Sequence, residues 1–156
     1  MQKEGKEAEA ARILESKLLS SLQENQATLV SLARFAVSEG DMQTAETLAL
    51  CAKRETESFG LWECGAYIVP LETAVAQKDG PLALSLLEKM LDSLLTPWDI
   101  KACPICRHIP LKEDATDIGA AILPSLIREL ETSPEYDFLR SAPGFEALRE
   151  KYRAFG

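Results

Sequence analysis

Between Leu29 and Ala52 the chain reads LVSLARFAVSEGDMQTAETLALCA, a stretch that specifies a helix, a tight turn and a second, antiparallel helix. Leu29, Leu32, Ala33 and Ala36 recur at i, i+3, i+4 and i+7, which predicts that all four lie on one helix face. Gly40 ends that helix, because glycine closes a helix in the left-handed conformation without a Cβ clash. Asp41 behind it is the expected N-cap of the next helix. Ala45, Ala49 and Ala52 then form a small-residue stripe that lets a partner backbone approach closely.

The full chain has 156 residues, enough to bury about 68 to 70% of its unfolded surface, so one self-sufficient domain spanning 1–156 is expected. Hydrophobic residues at 46% and charged residues at 27% argue against disorder and against membrane insertion. The net charge of −8 and a pI near 4.8 repel phosphate backbones, and Lys and Arg are scattered among Asp and Glu. Direct nucleic-acid binding by this segment is therefore not expected. MQKEGKEAEAARILESKL lacks the apolar run of a signal peptide, and no apolar stretch reaches the roughly 18 residues of a span. A cytoplasmic location is expected, with the four cysteines as reduced thiols.

In chain order, 1–24 reads as a leading helix over residues 2–23, with Ala11, Leu14, Leu18 and Leu22 in one stripe and Asn25 as the cap that separates it from helix pair 1. A chain that opens on a charged helix also fits the back half of a longer protein. Residues 25–58 form helix pair 1 and 61–95 helix pair 2. Pro70 inside Leu61–Gln77 predicts a kink or a helix that starts later than Trp62. Asp79-Gly80-Pro81 is start chemistry for the next helix, which runs to about Leu95. Residues 97–115 hold no clear period and read as an irregular loop. Closing helices fill 116–156, the first from Thr116 or Ile118 to Leu130 and interrupted by Pro124, the last opened by Pro143 and built on Phe145, Leu148 and Tyr152. Nothing alternates at period two, so the fold class is all-α.

The two helix pairs repeat one another, with Ala45 and Ala83 38 residues apart. Small residues before a turn, Gly-Asp at the turn, and Ala five and twelve residues after the glycine (Gly40, Ala45 and Ala52) resemble the tetratricopeptide family. The second unit keeps Ala83 but has Met90 at the later position, and both units lack the family's tryptophan and tyrosine in the first helix. The run FGLWECGAYIVPLETAVAQKDGPLALSLLEKMLDSLLTPWDI is similar to the helical-repeat regions that follow a helix-turn-helix reader in some bacterial transcriptional regulators, and EYDFLRSAPGFEALREKYR to the closing segment of many bacterial helical-repeat proteins. The resemblance implies a right-handed stack of antiparallel helix pairs. It also implies a sensing or oligomerising module, without catalysis or cofactor, that binds a protein, a peptide, a small ligand or a second copy. In such a stack the first helices line a concave groove. Arg34, Ser38, Glu63, Tyr67 and Gln77 are the candidates for that lining, against a reading as plain solvated surface.

The sharpest local motif is Cys103-Pro104-Ile105-Cys106-Arg107-His108, three zinc-ligand types within six residues. A tetrahedral site needs a fourth ligand, for which Cys51, Cys64 and Asp99 are candidates. The opposing expectation is two inert thiols in a packed loop. The same four residues CPIC are similar to the glutaredoxin redox pair, but the strand and helix N-terminus that lower the thiol pKa there are not expected here. A zinc-stabilised or thiol-redox domain on Cys103, Cys106 and His108 is thus the alternative to a binding module. His108 has no Ser or Asp partner at a nucleophilic spacing. Trp62 and Trp98 are candidates for pocket walls or for core, and the charged first helix for pairing with a second copy in a homodimer or for a solvated face.

Overall fold

The computed structural model describes residues 2–110 and 118–154. The part of the expected loop at 111–115, and Thr116 as a helix start, lie outside the described residues. Among the described residues there are seven α-helices and no strand. They are α1 (Gln2–Ser38), α2 (Met42–Ser58), α3 (Ile68–Ala76), α4 (Gly80–Leu94), α5 (Ile118–Thr132), α6 (Asp137–Arg140) and α7 (Phe145–Arg153). Short 3-10 turns at Glu63–Tyr67, Ile100–Ala102 and Pro134–Tyr136 join them.

The sequence divides α1 at Asn25, and the structure does not. The helix runs unbroken for 37 residues. Asn25 sits on its exposed side with its Nδ2 3.4 Å from Glu55 Oε1, and the inward stripe of Leu22, Leu29, Ala33 and Ala36 passes it without a change of phase. An asparagine inside a helix costs only tenths of a kcal/mol, so continuous packing overrides its preference for a cap. Leu32, expected on the same face, is 46% exposed instead.

The two hairpin turns are alike bond for bond. At the first, Gly40 N–H donates to Val37 O and Asp41 N–H to Ala36 O; at the second, Lys78 N–H donates to Val75 O and Asp79 N–H to Ala74 O. Asp41 Oδ1 then caps Thr44 N–H at 3.1 Å and Asp79 Oδ1 caps Leu82 N–H at 3.2 Å. Ala45 and Ala83, four residues after each aspartate, are fully buried. The expected Leu61–Gln77 helix resolves into the turn at Glu63–Tyr67 and then α3. Pro70 falls in the first turn of α3, where its missing N–H would have had no helical partner.

Two apolar clusters hold the helices. The smaller, Ala33, Ala49, Ala52 and Val69, sits where α1, α2 and α3 meet, and its small side chains bring those backbones close. The larger runs from Leu71 through α4 to Leu123, Leu139 and Tyr152 on α5 to α7. Gly119 lies against the end of α4, where an added Cβ would fall 1.7 Å from Leu94 O, so α5 seats directly on that carbonyl.

Candidate functional site

A groove of about 490 Å³ opens between the middle of α1 and the segments that come after α2 and α4. Leu19, Gln23, Gln26 and Val30 form one wall; Trp62 and Trp98 stand in the other, with Thr56, Gly65 and Ile68 also lining it. Leu19, Gln23, Gln26 and Val30 succeed one another at spacings of four, three and four, so they share a helix face beside the core stripe.

Both indoles have their N–H bonded to backbone. Trp62 Nε1 donates to Ser93 O at 3.2 Å and to Thr96 O at 3.1 Å, which satisfies two carbonyls at the C-terminal end of α4. Trp98 Nε1 donates to Gly60 O at 3.1 Å. The rings therefore offer the groove apolar area without a free donor. Gln26 reaches across to α2, its Nε2 donating to Ala52 O at 3.1 Å and to Glu55 Oε2 at 3.0 Å. Among the described residues that line the groove, none carries a charged side chain. Cys64, also in the lining, has its thiol pushed up to about 11 by burial, so it is protonated at neutral pH and a poor nucleophile.

The loop that carries Trp98 is clasped at three points. Cys103 Sγ–H donates to Phe59 O at 3.2 Å, next to the Trp98 bond on Gly60. Glu15 of α1 accepts the His108 backbone N–H at 2.8 Å on Oε1, and its Oε2 lies 2.7 Å from His108 Nδ1. These contacts fix the position of the Cys-x-x-Cys-x-His segment. Cys103 and Cys106 are buried free thiols, hydrogen-bonded to each other, while His108 is held by Glu15. Burial, and then the contact with Cys103, push the Cys106 thiol up to about 12, opposite to the shift a redox-active thiol needs. Among the described residues no group of three or more His, Cys, Asp or Glu side chains gathers closely enough to hold a metal ion.

The five residues chosen for a concave lining fall into separate contacts, and none lines this groove. Arg34 pairs with Glu72 and, at 3.8 Å, with Glu135. Tyr67 donates its hydroxyl to Glu63 Oε1 at 2.9 Å, Gln77 Nε2 lies 3.3 Å from Met42 Sδ, and Ser38 is exposed at the end of α1. The sequence points to Trp62 and Trp98 as possible walls but not to Leu19, Gln26, Val30 and Ile68. The helical spacing of the α1 residues is visible in it; that 61–68 and Trp98 fold back against them is not.

Comparison of the chain with protein-family models, with curated proteins and with solved structures finds no match. Among the described residues no helix is long and apolar enough to cross a membrane.

Proposed function

We propose that this chain is a non-catalytic binding module made of tetratricopeptide-like helix pairs in a right-handed stack, and that its indole-walled groove takes the apolar side of an amphipathic helix from a protein partner. The observation that carries this reading is the pair of tryptophans whose N–H groups are bonded to backbone while their rings line the groove. Such a surface rewards buried hydrocarbon and offers little for a polar ligand to hold. From Leu19 to Val30 the α1 wall spans about 16 Å, three helical turns, which matches anchors at i, i+3 or i+4 and i+7 on a partner helix. The chain's charge of −8 favours a partner with basic residues beside its apolar stripe. The resemblance to regulator C-terminal regions gives this binding a role in transcriptional control in the bacterial cytoplasm, as the sensing half of a longer protein.

Trp62 and Trp98 are the only tryptophans in the chain, so selectively excited tryptophan fluorescence reports on the groove alone. The test is titration with an 18-residue Leu/Lys amphipathic helical peptide. The expected result is a saturable blue shift that Ile68→Glu weakens at least tenfold, with helicity unchanged because Ile68 is 41% exposed. An unchanged spectrum up to millimolar peptide, or binding indifferent to Ile68→Glu, would reject the groove as the site.

A further inference from the structure

The buried Cys-x-x-Cys turn sits on the short segment that anchors Trp98. Cys106 N–H donates to Cys103 O at 3.1 Å, which closes a four-residue turn with Pro104 and Ile105 at its corners. Proline presets the first corner, and such a turn holds its end Cα atoms within about 7 Å, close to the roughly 4.4 to 6.8 Å that a disulfide spans. Both side chains are buried and bond each other, so the two thiols are already in contact. Gly60, left-handed at φ +64°, lies against the same turn: a Cβ there would stand 3.5 Å from Pro104 Cδ and 3.7 Å from Cys103 Cα. Two successive carbonyls then hold the loop, Phe59 O accepting the Cys103 S–H and Gly60 O the Trp98 N–H.

We propose that Cys103 and Cys106 form a reversible redox latch on the groove: a hydroperoxide oxidises them to a disulfide, which releases Phe59 O and loosens the Trp98 wall. In the first step one thiol gives its proton to solvent and its sulfur attacks a peroxide oxygen. The O–O bond breaks, a sulfenic acid forms, and the other oxygen takes up a proton and leaves as water when the oxidant is hydrogen peroxide. The second sulfur, its proton likewise given up, then attacks the sulfenic sulfur; the S–O bond breaks and a second water leaves. Two thiols have lost two hydrogens and two electrons to one peroxide, which becomes two waters. The new bond draws the sulfurs to about 2.05 Å and leaves neither with a hydrogen, so Cys103 no longer donates to Phe59 O. The Trp98 bond on the next carbonyl loses its neighbour. Burial, and a Cys106 thiol pushed up to about 12, make the reaction slow, which suits a latch and not a catalyst. That partner binding follows the latch rests on the groove reading above.

The test treats the full chain, with Cys51→Ser to remove the exposed thiol, with excess hydrogen peroxide over hours. Trypsin cuts after Lys101 and Arg107, so residues 102–107 leave as one peptide that carries both cysteines. The expected peptide lacks two hydrogens and regains them with dithiothreitol. Tryptophan emission shifts to the red on oxidation and returns on reduction, and the oxidised chain binds the Leu/Lys helical peptide at least threefold more weakly. Cys106→Ser, which leaves the Cys103 bond to Phe59 O in place, abolishes both changes, and so does Cys103→Ser, whose hydroxyl is still a donor. Residues 102–107 that keep both thiols, or that gain oxygen without closing a disulfide, overturn the proposal. So does a disulfide that forms while the emission stays where it was. A reduced chain that ignores the helical peptide rejects the groove reading instead, and the peptide mass and the emission still decide the latch.

Discussion

Gly40 and Lys78 occupy the same position in two turns 38 residues apart, both with positive φ, +79° and +56°, and each donates its N–H to the carbonyl three residues back. Glycine takes that conformation freely and lysine does not, so the second turn carries a strain that the first avoids. The surrounding bonds, Asp79 to Ala74 O and the Asp79 cap on Leu82, hold Lys78 there. Lys78→Gly should therefore stabilise the fold by about 0.5–1 kcal/mol. Gly40→Ala should cost about 1 kcal/mol, and purely conformationally, because a Cβ there meets nothing within 4 Å. Paired urea melts of the two variants check both signs.

Gly119 is a different case, governed by space. With Leu94 O 1.7 Å from where a Cβ would stand, Gly119→Ala must push α5 off the end of α4. Overpacking against backbone cannot relax by a rotamer change, so a loss of about 3 kcal/mol is expected in chemical unfolding. Gly5→Ala, with open space around it, is the control and should change nothing beyond helix propensity.

The link between α1 and the Trp98 loop depends on pH. The His108 backbone N–H, ahead of its ring, holds the Glu15 carboxyl below its ordinary value of 4.5. A carboxylate lowered in the folded state contributes stability that is complete above the unfolded value and lost as pH falls through the folded one. Glu15→Gln should therefore lower the melting temperature at pH 7, and the gap to the unsubstituted chain should narrow as pH drops below about 4.5. Thermal scans from pH 7 to pH 3 on both chains measure it; a gap that is constant or widens in acid would contradict this account.

Cysteine reactivity should separate into two classes. Cys51 is exposed, whereas Cys103 and Cys106 are buried and Cys64 is partly buried with its thiol raised to about 11. A two-unit rise from the ordinary 9.0 leaves on the order of 100-fold less thiolate at neutral pH. Titration with a chromogenic disulfide at pH 7.5 should find one fast thiol, abolished by Cys51→Ser, and three more only after denaturation.

Local chemistry placed much of this architecture. Asp41 with Gly40, Asp79 ahead of Pro81, and the alanine stripe from Ala45 to Ala52 are short-range signals, and the turns and helix starts stand where they put them. Where local preference and packing conflict, packing prevailed. Asn25 is a cap by preference and lies mid-helix because its neighbours Leu22, Leu29 and Ala33 are packed inward along one continuous helix. The Cys-x-x-Cys motif shows the same limit, since residue type and spacing do not say whether His108 turns toward the thiols or toward a carboxylate 93 positions earlier.

The all-helical class, the two hairpins and their 38-residue equivalence are dictated by the order of amino acids alone, because they rest on contacts within a few residues along the chain. That Glu15 holds His108, that α5 seats on Leu94 O through Gly119, and that Trp62 and Trp98 face α1 across a groove are settled by the folded arrangement instead. Those relationships depend on where distant segments cross. The crossing is set by the summed packing of two apolar clusters, to which no single motif corresponds.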